Sequence, residues 1–445
     1  MAQLSVQWRS EIAQDPRRVV VIDDDPTGTQ AVSGLPVLLR PSRPALARFF
    51  AGPARAVFVL SNSRALPRAA AAGLVRQIAT DAHAAAAQAG VDPPAILLRG
   101  DSTLRGHVFA ETDAVDPAAP VLFVPAFIAG GRVTMGGVHY LRTAAGQTPV
   151  VDTEFARDPV FGYRARHLTD WVREVGGDRR AAVPVPHHVL HRAGPDAVAD
   201  ALRAATAGTV VVPDAATDAD IEAITAGLVR AERRGIRVVV RCAASLAAVR
   251  TGARGRPVGT IPVCAPGRVL VVCGSYTGAS TAQLAALGPL AQRRRELPAA
   301  GADPARLRGV LAADLAAHGR ALLATPRGYR AEAGDALMDQ LVRVVAGLAG
   351  EVDLVVAKGG ITSARLARDA LGADTADVVG QPEPGVVLWR LAGPTGPMPY
   401  VVVPGNVGDD GTLARLLSMV DIDTGAADTG TADTRIEDTG DARGG

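Results

Sequence analysis

The sequence predicts an α/β fold of two domains, each a mostly parallel sheet flanked by helices. Short runs of apolar, often β-branched residues recur along the chain and alternate with stretches rich in Ala, Leu and Arg. Strands that are apolar throughout are buried on both faces, which is typical of parallel sheets covered by helices. At 445 residues the chain exceeds the usual size of one domain, so two are expected.

The first half of the chain supplies six such runs, and polar residues directly follow several of them. The predicted strands are residues 18–22, 56–60, 95–98, 121–124, 209–212 and 236–240. Helices fit between them, for example residues 67–89 and 195–207, each with a proline suited to the first turn. Because the polar residues follow the strands, they fall at the carboxyl edge of the sheet, where open α/β sheets bind ligands.

A second series of strands and helices begins near residue 267. Its predicted strands are residues 269–272, 353–356, 385–389 and 400–403, and its predicted helices are residues 280–293, 331–347 and 362–371. A stretch rich in Gly, Pro and Arg separates the two series, so we expect an N-terminal domain over residues 1–260 and a C-terminal domain over residues 266–423. Residues 424–445 repeat Thr, Gly, Asp and Ala and are expected to be disordered.

Composition argues against two classes of partner. The formal net charge is only +2 and the arginines are scattered, which gives no electrostatic basis for binding nucleic acid or an anionic membrane. No run of about 18 apolar residues appears, so no membrane span is predicted. The cysteines Cys242, Cys264 and Cys273 are odd in number and lack metal-ligand spacing, and the N-terminus lacks signal-peptide features. We therefore expect a soluble cytoplasmic protein, and the sequence leaves open whether it forms a homodimer.

A run of three carboxylates ends the first predicted strand. Asp23, Asp24 and Asp25 follow the apolar strand, and Pro26 and Gly28 shape a tight turn after them. Adjacent carboxylates repel one another, so a cation, a metal or hydroxyl donors must compensate their charge. An acidic turn in solvent is the alternative interpretation, although such a turn rarely follows directly on a buried strand.

Polar loops in the first half together indicate a pocket for a small polyhydroxy carboxylate. The loop from Arg99 to His107 combines two guanidinium groups, a carboxylate and two hydroxyls, and residues 61–64 and 130–139 add further arginines. The planar fork of Arg suits a bidentate carboxylate, while Asp and Ser suit sugar hydroxyls. Each loop alone could be an ordinary capped turn, so the prediction depends on their occurring together at the sheet ends.

Three glycine-containing loops in the second half each follow a predicted strand and precede a helix. They are residues 274–277, 358–362 and 405–408. Backbone N–H groups and helix N-termini in such loops can bind phosphate. Neither the P-loop pattern nor G-x-G-x-x-G is present. The second loop contains Lys358, the only lysine in the sequence, whose compact ammonium suits a close phosphate contact in a way that Arg does not.

The sequence resembles the four-carbon acid sugar kinase family across residues 18–420, because its motifs occur in the order in which they occur in that family. The resemblance is carried by the segments Asp24 to Gly28, Ser61 to Arg64, Arg99 to Gly106, Pro125 to Arg132, Thr153 to Pro159, Gly274 to Thr277, Gly359 to Thr362 and Gly405 to Gly408. The combination is specific, although no single segment is. The chain departs from many members in having Ile361 in place of an acidic residue, Val403-Pro404 in place of Lys-Ser, and Arg99 in place of Lys.

The resemblance implies an active site in the inter-domain cleft, where ATP with Mg²⁺ would phosphorylate the terminal hydroxyl of threonate, erythronate or 3-oxo-tetronate. With the loop chemistry, it places Asp25 and Asp101 as catalytic carboxylates, either of which could accept the hydroxyl proton. It places these residues at the sugar acid: Asp24, Arg64, Arg99, Ser102, Arg105 and Arg132. It places these at the nucleotide: Ser275, Thr277, Lys358, Gly359, Gly360, Ile361, Thr362, Gly405, Asn406 and Gly408. Lys358 is expected to supply the phosphate charge that the missing lysine near residue 403 would otherwise give.

Two other functions remain open from the sequence. The strand ending in Asp23-Asp24-Asp25-Pro-Thr27 also fits the D-x-D-x-T pattern of a haloacid-dehalogenase-like phosphatase, with Asp23 as nucleophile and Asp25 as acid and base. In that assignment Ser61 and Lys358 would supply the remaining roles of the phosphatase, and the long separation between them in the sequence argues against it. A non-catalytic sensor of sugar acids is the third possibility, and the phosphate-binding loops argue against it.

Overall fold

A computed structural model describes residues 2–178, 180–297, 304–327 and 334–423, and the predicted tail 424–445 lies outside them. The helices are Ala2–Ala13 (α1), Arg43–Ala51 (α2), Arg68–Gln88 (α3), Val108–Val115 (α4), Leu168–Gly176 (α5), His187–Ala193 (α6), Pro195–Ala204 (α7), Asp218–Arg233 (α8), Ala244–Thr251 (α9), Gly278–Ala285 (α10), Pro289–Gln292 (α11), Pro304–His318 (α12), Gly334–Ala346 (α13), Gly360–Arg365 (α14) and Thr412–Ser418 (α15). The strands are Val19–Asp23 (β1), Pro36–Leu38 (β2), Ala56–Leu60 (β3), Ala95–Arg99 (β4), Val121–Val124 (β5), Arg132–Met135 (β6), Val138–Thr143 (β7), Gly146–Pro149 (β8), Ala182–Val185 (β9), Val210–Pro213 (β10), Val239–Cys242 (β11), Ile261–Cys264 (β12), Val269–Cys273 (β13), Arg295–Glu296 (β14), Arg320–Ala324 (β15), Leu354–Lys358 (β16), Thr375–Gly380 (β17), Val387–Gly393 (β18), Gly396–Val403 (β19) and Val420–Asp423 (β20).

Each half of the chain contributes a parallel set of strands, which confirms the predicted α/β fold. In the N-terminal half the strand order is β2-β3-β1-β4-β11-β5-β10-β9, and every neighbouring pair is parallel. In the C-terminal half the order is β14-β15-β13-β16-β19, again with parallel pairs. The apolar runs explain this arrangement, because the strands inside both sets are buried on both faces, while the edge strands β9 and β14 are partly exposed.

The two parallel sets are joined into one sheet, which the sequence did not predict. The antiparallel strands β17 and β18 lie between them, and β17 pairs with β2 of the other half, with Thr375 opposite Leu38 and Asp377 opposite Pro36. In the described part of the chain this sheet contains fifteen strands. A continuous ladder of backbone hydrogen bonds therefore connects the halves.

The joint makes the parallel strands of the two halves run in opposite directions within the ladder. Six strand-to-strand steps separate β16 from β1. Since neighbouring strands rotate by about 20–25° each, the sheet turns by roughly 120–150° over that distance. The carboxyl ends of β1 and β16 can therefore approach one another although the strands are antiparallel in the ladder.

The core is organised by the two faces of this sheet. Alternate residues of a strand point to opposite faces, so Val19 and Val21 of β1 join one apolar cluster while Val20 and Ile22 join another. The first cluster continues into the C-terminal half, where it includes the completely buried Trp389. One apolar layer thus spans both halves of the molecule, while separate clusters cover the other face of each half.

Side chains reinforce the joint next to the first strand. The indole nitrogen of Trp389 on β18 donates to the hydroxyl of Thr29 at 3.0 Å, and both residues are buried. The side-chain amide of Gln381 donates to the backbone carbonyl of Gln30. Both partners lie in the turn of residues Pro26–Ala31, which follows the run of three aspartates. The C-terminal half therefore holds this turn in place.

The predicted helices differ from the structure where turns interrupt them, and the strands β2, β9, β12, β14, β15, β17 and β20 were not predicted. The predicted helix 280–293 is divided into α10 and α11 before Gly288, whose φ of 58° favours glycine. The predicted helix 362–371 begins earlier, at Gly360, and ends in a π-helical segment, Leu366–Ala370. The hairpin strands β6, β7 and β8 were not predicted. Among the described residues, no helix has the length and apolarity needed to cross a membrane.

We expect Thr29→Val to destabilise the protein by about 1–3 kcal/mol, because the buried N–H of Trp389 would lose its acceptor while the side-chain volume stays nearly constant. Urea unfolding followed by tryptophan fluorescence measures this. Thr148→Val, at an exposed position on β8, is the matched control and should change stability by less than about 0.5 kcal/mol. Equal effects of the two substitutions would show that the indole hydrogen bond does not stabilise the joint.

Candidate functional site

A cavity of about 730 Å³ lies between the two halves and is lined by loops from both. The predicted site residues that line it are Asp25, Arg64, Arg99, Asp101, Ser102, Arg105, Arg132, Gly360, Gly405, Asn406 and Gly408. The predicted residues that do not line it are Asp24, Ser275, Thr277, Lys358, Gly359, Ile361 and Thr362. The loops predicted to bind sugar acid and phosphate therefore face one cleft, although several of their side chains point elsewhere.

Asp25 lies where the two halves meet. Its carboxylate accepts from the backbone N–H of Thr27 at 2.8 Å and from the Thr27 hydroxyl at 2.5 Å, so it caps the turn that follows β1. Its other oxygen forms an ion pair with Arg64. A Cβ placed on Gly360, the first residue of α14, would lie 3.4 Å from both carboxylate oxygens. Asp25 of the N-terminal half thus directly faces Gly360, in a loop of the C-terminal half that the sequence predicts to bind phosphate.

Arg64 connects Asp25 to Asp101. Its second terminal nitrogen lies 3.3 Å from the Asp101 carboxylate, which also pairs with Arg105 at 2.9 Å and accepts from Thr103. Burial alone would raise the pKa of Asp101, but the charges of Arg64 and Arg105 outweigh it and hold that pKa well below its usual range. Asp101 is therefore a permanently charged anchor for two cavity arginines.

The loop that carries Asp101 is held from behind by the β6–β7 hairpin. The ring of His139 bonds the backbone carbonyl of Ser102 at 2.9 Å and the hydroxyl of Thr134 at 2.9 Å. Because a carbonyl only accepts, Nε2 carries the proton and Nδ1 accepts from Thr134. Burial lowers the pKa of His139 to about 4, so the ring is neutral at physiological pH. In the same loop, Leu104 has a φ of 71°, an uncommon backbone conformation for a non-glycine residue.

Asp23 and Asp24 lie beneath the cavity and are each compensated by a buried arginine. Asp23 pairs with Arg99 at 3.0 Å, and Asp24 pairs with Arg241 at 3.0 Å. Arg241 also pairs with the buried Glu111. The prediction that Asp24 contacts substrate is not supported by this arrangement, because its side chain is only 2 % exposed.

Sequence reasoning missed Arg241 and Glu111. The signal available for Arg241 was a charged residue inside the apolar strand β11, since a charged side chain is rarely fully buried unless it is paired. A Cβ on Gly100 would lie 2.1 Å from the Arg241 guanidinium, so only glycine leaves room for this group beside the site loop. No sequence pattern marked Glu111 as its partner.

The position of Asp23 bears on the phosphatase alternative. A nucleophile must reach a phosphoryl group, but Asp23 is 1 % exposed and does not line the cavity. Ser61 is also buried, with its hydroxyl donating to the Asp23 backbone carbonyl at 2.8 Å. Burial, with repulsion from Asp24, raises the pKa of Asp23 to about 7 against the attraction of Arg99. Neither residue has the exposure that the phosphatase mechanism requires.

Arg132 differs from the other cavity arginines. It begins β6 and bonds the backbone carbonyl of Gly130, yet no carboxylate of the described residues lies within ion-pair distance of it. Its Nε is buried without a hydrogen-bond partner, and burial lowers the pKa of the guanidinium. A desolvated cation without a counterion is costly, so Arg132 is a candidate receptor for an anionic ligand.

The three glycine-containing loops of the C-terminal half pack against one another. Thr277 caps α10 and donates to the carbonyl of Gly405 at 2.9 Å, and the Ser280 hydroxyl donates to Ser275 at 2.8 Å. A Cβ on Gly274 would lie 2.1 Å from the Thr362 hydroxyl. Glycine thus lets the first loop lie against the second, while Thr277 ties the first loop to the third.

Lys358 lies within this loop cluster and does not reach the cavity. Its side chain is completely buried, and the ammonium donates to the backbone carbonyls of Pro404 at 2.8 Å and Val407 at 3.0 Å. Burial lowers its pKa to about 8. The side chain therefore shapes the loop of residues 404–408, and the predicted direct phosphate contact has no support in this geometry. Ile361 is 51 % exposed, outside the cavity lining.

Two protein-family models match consecutive parts of the chain. A model of a sugar-binding N-terminal domain matches residues 19–250, and a model of a nucleotide-binding C-terminal domain matches residues 270–413. Together they cover nearly all of the described strands. Their boundaries bracket the Gly-, Pro- and Arg-rich stretch between the two series of elements.

Two curated relatives are similar over part of their length. A D-threonate kinase of Bordetella bronchiseptica is 33 % identical over 239 residues, which are 53 % of this chain and 51 % of that protein. A D-erythronate kinase of Heliobacterium modesticaldum is 35 % identical over 152 residues, which are 33 % of each chain. The chain thus matches about half of the first relative and a third of the second. A solved Haemophilus influenzae protein has the same fold, with a TM-score of 0.61, 17 % identity, and coverage of 90 % of this chain and 99 % of that chain.

We expect the stability of the protein to fall as the pH drops from 6.5 to 4, and His139→Gln to reduce that loss. The unfolded chain binds a proton on His139 near pH 6.5, whereas the native ring resists it until about pH 4, so acid favours unfolding. At pH 4, this difference in proton binding by His139 lowers the free energy of unfolding by about 3 kcal/mol. Urea unfolding of wild type and variant at several pH values measures it, with the exposed His188→Gln as control. An unchanged slope in His139→Gln would contradict the assignment of a neutral ring.

Proposed function

This chain belongs to the four-carbon acid sugar kinase family, and we propose that it transfers the γ-phosphoryl group of ATP to the terminal hydroxyl of a four-carbon acid sugar. The candidate substrates are threonate, erythronate and 3-oxo-tetronate. We propose that residues 1–260 form the domain that binds the sugar acid and residues 266–423 the domain that binds ATP. The matches to a sugar-binding and a nucleotide-binding domain support this division.

The observation that carries the proposal is the shared cavity. The loops rich in arginine and hydroxyl groups line one side, and two of the glycine-containing loops line the other, through Gly360 and residues 404–408, with Asp25 next to Gly360 between them. Phosphoryl transfer requires little covalent chemistry from a protein and depends on holding donor and acceptor in line in a stabilising environment. A cleft with an acid-sugar side and a phosphate side meets that requirement.

Arg132 is the residue proposed to bind the substrate carboxylate. Arg64, Arg99 and Arg105 are already paired with carboxylates of the protein, while Arg132 has no such partner among the described residues. A guanidinium can bind a carboxylate through two parallel hydrogen bonds, which fixes the orientation of the ligand as well as its position. Ser102, which also lines the cavity, is available to a sugar hydroxyl.

Asp25 is the better of the two candidate proton acceptors. A carboxylate offers about four lone-pair sites. Those of Asp101 are filled by Arg64, Arg105 and Thr103, and its pKa is held low, so it is a weak base. Among the described residues, Asp25 receives donors only from Thr27 and Arg64, which leaves room for a substrate hydroxyl. We assign Asp25 to the hydroxyl proton and Asp101 to the positioning of the arginines.

ATP is proposed to bind along the loops of the C-terminal half. Three carbonyls of residues 404–407 are turned towards Thr277, Gln283 and Lys358, which leaves the cavity-facing side of this loop to the phosphates. The cavity also fits Mg²⁺, because this ion prefers oxygen donors together with substrate phosphates and water, and Asn406 offers a carboxamide oxygen on that side. When bound, Mg²⁺ would neutralise charge on the phosphates.

Arg132→Met should raise KM for the sugar acid roughly 10- to 100-fold and change kcat much less, because it removes a charged hydrogen bond to a group remote from the transferred phosphoryl. ADP release with D-threonate or D-erythronate as acceptor measures both constants. Arg142→Met is the matched control, since Arg142 lies exposed on the same hairpin and outside the cavity lining. A KM unchanged in Arg132→Met would remove this residue from carboxylate binding.

Asp25→Asn should lower kcat by about 10²- to 10⁴-fold, because the amide still caps the turn but cannot accept the hydroxyl proton. ATP affinity, measured by calorimetry, should change little. Asp170→Asn, at an exposed position on α5, controls for loss of surface charge. Turnover close to wild type in Asp25→Asn, with a circular dichroism spectrum like that of wild type, would reject Asp25 as the proton acceptor.

A further inference from the structure

A cluster of two histidines and an aspartate lies on α6 and α8, among residues to which the proposed kinase activity gives no role. His187 and His191 are four residues apart on α6, so their rings project from the same side of the helix. The Nε2 of His191 lies 2.8 Å from one oxygen of Asp220, and the Nε2 of His187 lies 3.5 Å from the other. The three ligand-capable atoms lie within 4.8 Å of one another.

Backbone hydrogen bonds fix the orientation of the Asp220 carboxylate. It is 1 % exposed, and one of its oxygens accepts from the backbone N–H groups of Ala216 and Thr217, each at 2.9 Å. It also completes the capping box of α8 with Thr217. The carboxylate is thus oriented by bonds that are independent of the histidines. Metal sites depend on such supporting bonds to hold their ligands in position.

The spacing of the cluster is close to that of a coordinated transition metal. Bonds of about 2.0–2.2 Å to imidazole nitrogen and carboxylate oxygen in a tetrahedral arrangement put the ligand atoms about 3.3 Å apart. The 3.5 Å separation of His187 from one Asp220 oxygen and the 2.8 Å separation of His191 from the other both lie within about 0.5 Å of this value, and a set with one ligand atom from each residue lies within 4.8 Å. Both rings are partly exposed, so they have room to rotate towards a shared ion.

We propose that His187, His191 and Asp220 form a binding site for a Zn²⁺-class transition metal. Two imidazoles and one carboxylate suit Zn²⁺, whereas Mg²⁺ prefers oxygen donors, so this site would differ from any metal that accompanies ATP. A cavity of about 250 Å³ lined by His191 and Asp220 gives the ion and a completing water access from solvent. The aspartate is buried while both histidines are partly exposed, which lets the ion enter from the histidine side.

The metal would clamp α6 to the N-terminus of α8, behind the substrate side of the cleft. The backbone N–H of His187 donates to Asp214 at 3.0 Å, and the same carboxylate accepts from the N–H groups of Gly136 and Gly137 at 2.9 Å each. Those glycines form the turn of the hairpin that carries Arg132. Asp218, in the first turn of α8, lines the cleft itself. The site is therefore structural and supports the hairpin that bears the proposed carboxylate receptor.

The test is calorimetric titration of Zn²⁺ into the full chain after chelator treatment, without ATP or sugar acid. We expect one Zn²⁺ per chain and a rise in the thermal unfolding midpoint on addition of the ion. His187→Gln and His191→Gln should each weaken binding by more than the 10- to 100-fold that loss of a mere supporting partner causes. His188→Gln is the matched control, because it lies between them on α6 but outside the cluster, and should bind as wild type does.

Visible absorption of Co²⁺ in place of Zn²⁺ gives a second readout that does not depend on protein stability. Intense d–d bands lost in both cluster variants and retained in His188→Gln would support the site. Equal Zn²⁺ affinity in wild type and both cluster variants, or the absence of any Zn²⁺ binding by wild type, would overturn the proposal. Neither result depends on whether the protein phosphorylates a sugar acid, so failure of this proposal and failure of the kinase proposal are distinguishable.

Discussion

The structure depends on the compensation of three consecutive carboxylates at the end of a buried strand. Each of them has its own arginine, and each arginine comes from a different part of the N-terminal half: Asp23 pairs with Arg99, Asp24 with Arg241 and Asp25 with Arg64. Removal of one partner from a buried ion pair leaves an uncompensated charge, which is strongly unfavourable. The ends of β1, β3, β4 and β11 are therefore held together by charge as well as by the backbone ladder, and this arrangement forms the floor of the cleft.

The burial of each ion pair determines whether its side chains can contact a ligand in the cavity. The first two pairs are almost completely buried, and of their members only Arg99 lines the cavity, whereas both members of the third pair line the cavity at the boundary between the halves. The joining strands β17 and β18 bring the loops proposed to bind phosphate to the same boundary, and the hydrogen bond between Trp389 and Thr29 fixes the turn that follows Asp25. One continuous sheet thus sets the distance between the proposed acid-sugar side and the proposed phosphate side.

The sequence was sufficient to predict the buried strands with uniformly apolar runs and the loops that follow them, because such runs indicate burial on both faces of a sheet and polar residues after them indicate its carboxyl edge. It was not sufficient to predict the antiparallel strand β17 or the hairpin strands β6, β7 and β8, which lack such runs. It was not sufficient to predict side-chain direction. Lys358 lies in the predicted loop, but its ammonium bonds two carbonyls of another loop, a tertiary contact that no local pattern encodes. Asp24 likewise turns away from the cavity towards Arg241. No local pattern marked the histidines on α6, because their partner Asp220 is some thirty positions away and meets them only in the fold.

The most direct test of the account is identification of the product formed from Mg-ATP and a panel of D- and L-threonate, D- and L-erythronate and the 3-oxo-tetronates. Phosphorus NMR and mass spectrometry locate any new phosphoester. The account predicts ADP in equal amount to a sugar acid phosphorylated at its terminal oxygen, for at least one member of the panel. ATP binding without transfer to any member would place the substrate outside this class. Absence of ATP binding, or release of phosphate from phosphorylated sugar acids without ATP, would contradict the kinase function itself.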